Sequence, residues 1–384
     1  MVREITIIGG GASGLVAAIN LAQKGHNVTI LESKPRIGQK ILVAGNGRCN
    51  LTNLSITREN YHSNNLDAVE RIVTRYGCAK VLDFFKSIGL FTRSKGDLVY
   101  PLSNKASSVL DLLRAALAKY NARIITDFEV DGVEKNSNGY IIKSNRDEQI
   151  KTDKLIVATG SKAYNGTDIG IKILKQFGHR INKIYPALVQ LRSNDQFIKG
   201  LKGVKFDGEV RVYRGGDILR AERGEILFTD YGISGIAIMQ VSYLFSMYDD
   251  CRLELDFLPD MSLEEVKNNL AYMADYYQDT STKPEEYLTG LLDKKLGMRI
   301  IKHSDLENLK TMPIQISGHN GYKNAQVCGG GAALEDFHIN NLESHHSKGL
   351  YAIGEVLDAI GDCGGYNLHW AFACGLCVGR EINE

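Results

Sequence analysis

The chain has 384 residues, of which 43% are apolar and 24% charged, with a formal net charge of +1. Such a length suits two or three domains, and the composition excludes a disordered or fibrous chain. The near-zero charge gives no global field for an acidic partner, so the expected partner is a small-molecule substrate, with no nucleic acid and no membrane.

Glycine is abundant at 39 residues and proline scarce at 6, a balance that suits tight backbone turns around a ligand. The 7 cysteines are odd in number and scattered, which reads as reduced intracellular thiols. The start, "REITIIGGGASG", has no basic-then-apolar leader, and a cytoplasmic location is expected. Oligomeric state is left open.

A short β-branched strand over 5–8 leads into Gly9-x-Gly11-x-x-Gly14, followed by a small-residue helical pattern and a second strand over 27–31 that ends in Glu32. A lone GxGxxG is weak, but this one follows a strand, opens a helix, and has an acid near the ~20-residue spacing of a dinucleotide fingerprint. Gly9 makes the turn, Gly11 admits a pyrophosphate, Gly14 lets helix and strand pack, and Ala12 and Ser13 open the helix whose N–H groups face the phosphates. Glu32 is the expected acceptor for a ribose diol. The alternative is a glycine-rich βα turn with no ligand.

The next stretch departs from an NAD-type pattern. "SKPRIGQKILVAGNGRCNLTN" is a long polar excursion, and its segment 45–53 offers glycines for close approach, one guanidinium (Arg48) and short polar groups (Asn50, Thr52, Asn53). A loop wrapping FAD would use these, with Arg48 forked onto a phosphate or set near the pyrimidine ring. A polar surface loop with Arg48 in a structural salt bridge is the alternative.

Helical spacing runs over 66–90 and 105–120. Residues 122–151 read as short strands with Asp-Gly and Asn-Gly turns ("VDGVE", "SNGYIIKS"). A strand over 155–158 ends in Thr159-Gly160. From 186 the texture becomes short alternating strands with glycine turns, suited to a small barrel or sandwich. The uncharged run 231–248 reads as a buried helix rather than a membrane span. Ser262 and Glu265 form a capping-box signature for a helix, helical character continues to about 308, and "MPIQISG" returns as a strand. Near the end, "KGLYAIGEVLDAIGDCGGYNLHWAFACGLCVGREI" has a strand over 350–353 ending in Gly354-Glu355, a glycine loop, and a helix opening at Tyr366-Asn367-Leu368. Glu355 is placed to accept from a ribityl hydroxyl, and the helix start after Gly365 would aim N–H groups at a flavin carbonyl.

Taken together, GxGxxG…Glu, "ATG" and "GLYAIGE" resemble the two-dinucleotide-binding-domain flavoproteins related to glutathione reductase. More narrowly, "GRCNLTN", "GEILFTDYGISG", "AQVCGGG" and "GEVLDAIGDCGGYNLHWAFACG" are similar to one bacterial family that includes the BaiN-like flavoproteins and aminoacetone oxidases. The resemblance runs from residue 4 to about 380. It implies FAD contacts at Gly9, Gly11, Ser13, Gly14, Glu32, Arg48, Asn50, Gly354, Glu355, Asn367 and Leu368, with Val130 on the adenine side; Cys49, Thr52, Thr159, Gly160 and Gly365 complete the candidate set. The chain departs from the family pattern at Asn46, at Ile236, at Ser161 and in "CGGGAAL"; none touches the fingerprint, and the last two put the substrate in doubt.

The fold class expected is therefore α/β: a discontinuous Rossmann-type FAD-binding domain (1–185 and 319–384) with an inserted small β-barrel (186–261 and 309–318) and a helical subdomain (262–308). No catalytic acid or base is identifiable, and the 9 histidines show no metal spacing. Cys374-Gly-Leu-Cys377 invites a redox-dithiol reading, but its place inside a small-residue helix favours buried side chains. Cys49 and Cys363 fall in loops near the expected flavin, where a charge-transfer thiolate is an option. His369 and Trp370 read as packing residues, and His345-His346 as a solvated turn. There is no second GxGxxG for a dedicated NAD(P)H domain. The leading expectation is an FAD-dependent oxidoreductase with non-covalent FAD that oxidises a small amine, alcohol or similar molecule, with O2 as a possible acceptor. The alternatives are an NAD(P)H-dependent reductase of an enone, a flavin-dependent RNA-modifying enzyme, and a flavoprotein without turnover.

Overall fold

Five parallel strands form the central sheet, in the order Leu350–Ala352, Lys154–Val157, Glu4–Ile8, Asn27–Leu31 and Arg123–Ile125. The inner strands are nearly continuous runs of Ile, Leu and Val because both faces of a parallel sheet are covered. The computed structural model describes residues 2–278, 288–303 and 305–381.

The chain divides into two compact units, one formed by residues up to 184 and from 327 on, the other by 185–326. In the first, helix Ala12–Gln23 is buried over most of its surface, so it carries Leu, Val, Ala and Ile almost all round rather than one apolar stripe. Helix Tyr366–Glu381 crosses it closely. A side chain at Gly375 would come within 2.7 Å of the Ser13 carbonyl oxygen, and Asn20 Nδ2 donates to the Leu376 carbonyl at 3.3 Å. Helix Ala106–Lys119 also packs against the first helix.

Strands Val130–Asn136, Gly139–Ser144 and Gln149–Thr152 form an antiparallel meander. Of the two turns expected there, Asn138-Gly139 lies at the hairpin bend, whereas Asp131-Gly132 lies inside a strand. The register slips between Val130 and Gly132, so the glycine marks a β-bulge instead of a turn.

The second unit is built on a seven-stranded antiparallel sheet, in the order Met312–Ile314, Arg252–Asp256, Lys205–Arg214, Asp217–Phe228, Gly232–Ser234, Leu191–Arg192, Gly318–His319. Val210, Val212, Ile226, Phe228, Leu253 and Leu255 alternate into a core of its own. The run 231–248, expected as one helix, is strand Gly232–Ser234 followed by short helices Ile236–Val241 and Leu244–Met247. Gly235 separates strand from helix at φ 107°, where a side chain would collide with the Glu225 carbonyl. Helix Leu263–Tyr276 begins with the expected capping box: Ser262 Oγ accepts from Glu265 N at 3.2 Å, and Glu265 Oε2 accepts from Ser262 N at 2.7 Å. The expected helical stretch continues as Lys294–His303, while residues 279–287 and 304 lie outside the described ones. No helix among the described residues is long and apolar enough to cross a membrane.

Candidate cofactor site

The carboxyl ends of four sheet strands bring the sequence-predicted residues to one edge. Gly9 follows the strand Glu4–Ile8, Glu32 follows Asn27–Leu31, Thr159 and Gly160 lie just past Lys154–Val157, and Gly354 and Glu355 just past Leu350–Ala352. This edge is where open parallel sheets bind ligands.

The three fingerprint glycines differ in what demands them. At Gly9 (φ 111°) a side chain would strike the Ala158 carbonyl oxygen, and at Gly14 it would strike the Gly9 carbonyl oxygen. Both glycines are required by the fold. Gly11 has ordinary backbone angles (φ −85°, ψ −171°), and a methyl group there would meet nothing within 4 Å. The protein does not need a glycine at this position; a ligand pressed onto the backbone would. Gly11 is also the N-cap of helix Ala12–Gln23, with no side-chain cap and no acid in the first turn. The N–H groups at the Ala12–Ser13 end are thus left for an anion, and the residues present fit a pyrophosphate.

Glu32 Oε2 accepts from the Gly10 amide at 2.9 Å, and Oε1 accepts from Lys34 N at 2.9 Å and Ser33 Oγ at 3.3 Å. One lone-pair direction on Oε2 stays open, as a ribose hydroxyl needs. Val130 is buried at the start of its strand, with the bulge beside it.

Glu355 is more heavily engaged than the sequence suggests. Oε1 accepts from Ser161 Oγ at 2.6 Å and from the Cys328 amide at 3.0 Å, while Oε2 pairs with Lys40 Nζ at 2.6 Å. Gly354, at φ 74°, lies so close to helix Ala12–Gln23 that a side chain would come within 2.6 Å of Ser13 Oγ, and its carbonyl accepts from Trp370 Nε1 at 3.1 Å. Sequence reasoning missed Lys40. It marked Ser161 only as a departure from the family pattern.

Segment 45–53 is clasped to the last helix. Asn53 Nδ2 donates to the Gly364 carbonyl at 3.0 Å, and a side chain at Gly365 would come within 2.8 Å of the Thr52 carbonyl. Asn50 is buried and its Oδ1 accepts from Val99 N at 3.2 Å. Thr52 is fully buried, with Oγ1 2.8 Å from His369 Nδ1. Arg48 is exposed, its guanidinium 5.5 Å from the centre of the Tyr100 ring. Asn367 turns back to exchange two hydrogen bonds with Gly361, donating to its carbonyl at 2.7 Å and accepting from its amide at 2.8 Å. Leu368 is half-buried against the core.

The thiols behave as packing groups. Cys49 is fully buried, its amide donates to the Ala44 carbonyl at 2.9 Å, and burial pushes its thiol up to about 12, so the charge-transfer thiolate finds no support there. Cys374 and Cys377 are buried thiols not joined in a disulfide; burial drives Cys374 well above the ordinary range, and Cys377 Sγ donates to the Asn340 carbonyl at 3.1 Å. His369 is buried, as a packing residue should be. The His345-His346 turn is not purely solvated: the His345 and His338 rings lie 4.0 Å apart, and His346 Nε2 is 3.6 Å from Asp336. Among the described residues no group of three His, Cys, Asp or Glu side chains could hold a metal ion.

Residues 3–381 match the HI0933-like protein Rossmann domain family. The 3-dehydro-bile acid delta(4,6)-reductase of Clostridium scindens is 36% identical over 100% of this chain and 99% of its own length. The ribosomal RNA dihydrouridine synthase of Haemophilus influenzae is 31% identical over 98% of this chain and 99% of its own. Among solved structures, the 3-ketosteroid-delta4-(5alpha)-dehydrogenase of Rhodococcus jostii RHA1 shares the fold, with a TM-score of 0.53 and 14% identity over 99% of this chain and 97% of that one. The chain belongs to the HI0933-like family of BaiN-like flavoproteins and is an FAD-dependent oxidoreductase.

Proposed function

We propose that the chain is a reductase that saturates a carbon–carbon double bond conjugated to a carbonyl in a small organic molecule, with NAD(P)H as the electron source. The observation that carries this is full-length similarity to two proteins whose names describe one chemistry. A 3-dehydro bile acid with unsaturation at 4 and 6 is an extended enone. Making dihydrouridine adds two hydrogens across a ring double bond next to a carbonyl. These names favour the reductase alternative over the amine or alcohol oxidase that the residues alone put first.

In this reading FAD is bound without a covalent bond, on Gly9, Gly11, Ala12, Ser13, Gly14, Glu32, the loop of Arg48 to Thr52, Val130, Thr159, Gly160, Gly354, Glu355, Gly365, Asn367 and Leu368. Bound flavin supplies hydride transfer. The chain's own residues grip and tune it: the uncapped helix end at Ala12–Ser13 takes the pyrophosphate, Glu32 the ribose, and the start of helix Tyr366–Glu381, which has no acid in its first turn, faces charge on the ring.

The test is anaerobic. NADH or NADPH should bleach the flavin, and a 3-oxo-4,6-diene steroid should restore its colour with loss of the dienone absorbance. Bleaching by an amine or alcohol, with air restoring colour and forming hydrogen peroxide, would establish the oxidase form instead. A second reading, reduction of uridine in ribosomal RNA, is favoured by the relatives of that name in Haemophilus influenzae and Escherichia coli, the latter 27% identical over 99% of this chain. They remove the ground for excluding nucleic acid on net charge alone. Dihydrouridine formed in ribosomal RNA incubated with the protein and NADPH, and no turnover of free enones, would select it.

A further inference from the structure

We infer that Lys40 is a positioning residue of the flavin site: its ammonium compensates the Glu355 carboxylate, and so sets how tightly FAD binds and how readily it accepts electrons. The inference rests on the FAD reading of this site and not on the identity of the substrate.

Lys40 is carried by the short helix Gln39–Val43, and that helix is wired to the fingerprint: the Gly38 amide donates to the Gly10 carbonyl at 2.8 Å. Glu355 is fixed from the other side, because Trp370 holds the neighbouring Gly354 carbonyl. The 2.6 Å pair therefore joins the fingerprint loop to the end of strand Leu350–Ala352. Ser161 Oγ and the Cys328 amide occupy both lone pairs of Glu355 Oε1. Lys40 takes one on Oε2, leaving a single acceptor direction for a ribityl hydroxyl. The Glu355 side chain is 18% exposed and that of Lys40 42%, so water screens the pair only in part. With Lys40 the pair is neutral. Without it, an uncompensated anion stands at the strand ends that receive an anionic cofactor, and it opposes both cofactor binding and electron uptake by the ring.

The experiment uses full-length apoprotein of the wild type, Lys40→Met, Lys40→Arg, Glu355→Gln and the double variant Lys40→Met/Glu355→Gln. FAD affinity is read from flavin fluorescence, the midpoint potential of the reloaded protein by dye equilibration, and folding by circular dichroism. Lys40→Met should bind FAD on the order of tenfold more weakly, the scale of a hydrogen bond to a charged group, and its potential should fall. Lys40→Arg should restore both. The double variant should recover potential relative to Lys40→Met, because the charge that needed compensation is gone. If Lys40→Met does not fold, Lys40→Gln carries the test, since it keeps hydrogen-bonding capacity without charge. Wild-type affinity and potential in the uncharged variant, or independent shifts that simply add in the double variant, would overturn the proposal. A wild-type chain that binds no FAD would instead overturn the site reading itself.

Discussion

Thr52 Oγ1 lies 2.8 Å from His369 Nδ1, and both side chains are fully buried. One belongs to the glycine-rich polar segment 45–53 and the other to the last helix, so this bond closes the candidate cofactor site around a neutral imidazole. Burial holds His369 down to about 4 from its ordinary value of 6.5. The unfolded chain takes up this proton near 6.5 and the folded chain only near 4, so stability contributed by the neutral form is complete above 6.5 and is lost as pH falls between the two values. The loss amounts to about 3 kcal/mol. Denaturant melts of the apoprotein from pH 7.5 to 4.5 should show this slope, and His369→Gln should flatten it. An unchanged slope in that variant would assign the acid sensitivity elsewhere.

Gly11→Ala and Gly14→Ala should separate cofactor binding from folding. The first places a methyl group in open space, so the apoprotein should melt like the wild type while FAD affinity drops sharply. The second drives a methyl group into the Gly9 carbonyl oxygen and should cost about 2–3 kcal/mol of stability before any cofactor is added. Equal FAD affinity in Gly11→Ala and wild type would remove the pyrophosphate from the start of helix Ala12–Gln23.

Heat or acid denaturation of the yellow holoprotein should release all flavin into the supernatant as FAD. FMN in the supernatant, or colour retained on the precipitated chain, would contradict a non-covalent dinucleotide. Glu32→Ala should weaken FAD binding by about 1–3 kcal/mol, the scale of a hydrogen bond to a charged acceptor, measured by titrating the apoprotein.

Thiol reactivity should follow burial. Brief iodoacetamide treatment of the native chain should leave Cys49, Cys328, Cys374 and Cys377 unmodified, with labelling confined to Cys78, Cys251 and Cys363; denaturation should expose all seven. Peptide mass spectrometry reads the outcome. Rapid native labelling at Cys374 or Cys377 would revive a redox dithiol.

The parts of the fold that were legible rest on local rules. The strand Glu4–Ile8, the glycine spacing, Glu32 and the Ser262 capping box are each specified within a few residues, and each appears in place. The misread parts depend on distant partners. Asp131-Gly132 looks like a turn until strand Gly139–Ser144 is set beside it and the register slips. Run 231–248 is uncharged enough for one helix, but packing against the Glu225 carbonyl holds Gly235 out of helical geometry and splits the run there. Lys40 carries no signal in its own neighbourhood, because the carboxylate that defines its role is reached only through the sheet. Ser161 stood out as an oddity, and only geometry shows that its hydroxyl serves Glu355.

The crossing of helix Ala12–Gln23 by helix Tyr366–Glu381 has a consequence for how the protein is made. Ribosomes extend a chain from its amino end, so the fingerprint helix emerges long before the helix that covers it. Strand Leu350–Ala352, which completes the central sheet beside Lys154–Val157, is equally late. Until both arrive, the apolar side chains of the first helix lack part of their cover and Glu355 is not at the sheet edge. The candidate site is thus assembled only after strand Leu350–Ala352 and helix Tyr366–Glu381 have been made, and the nascent chain waiting for them is the stage most exposed to aggregation.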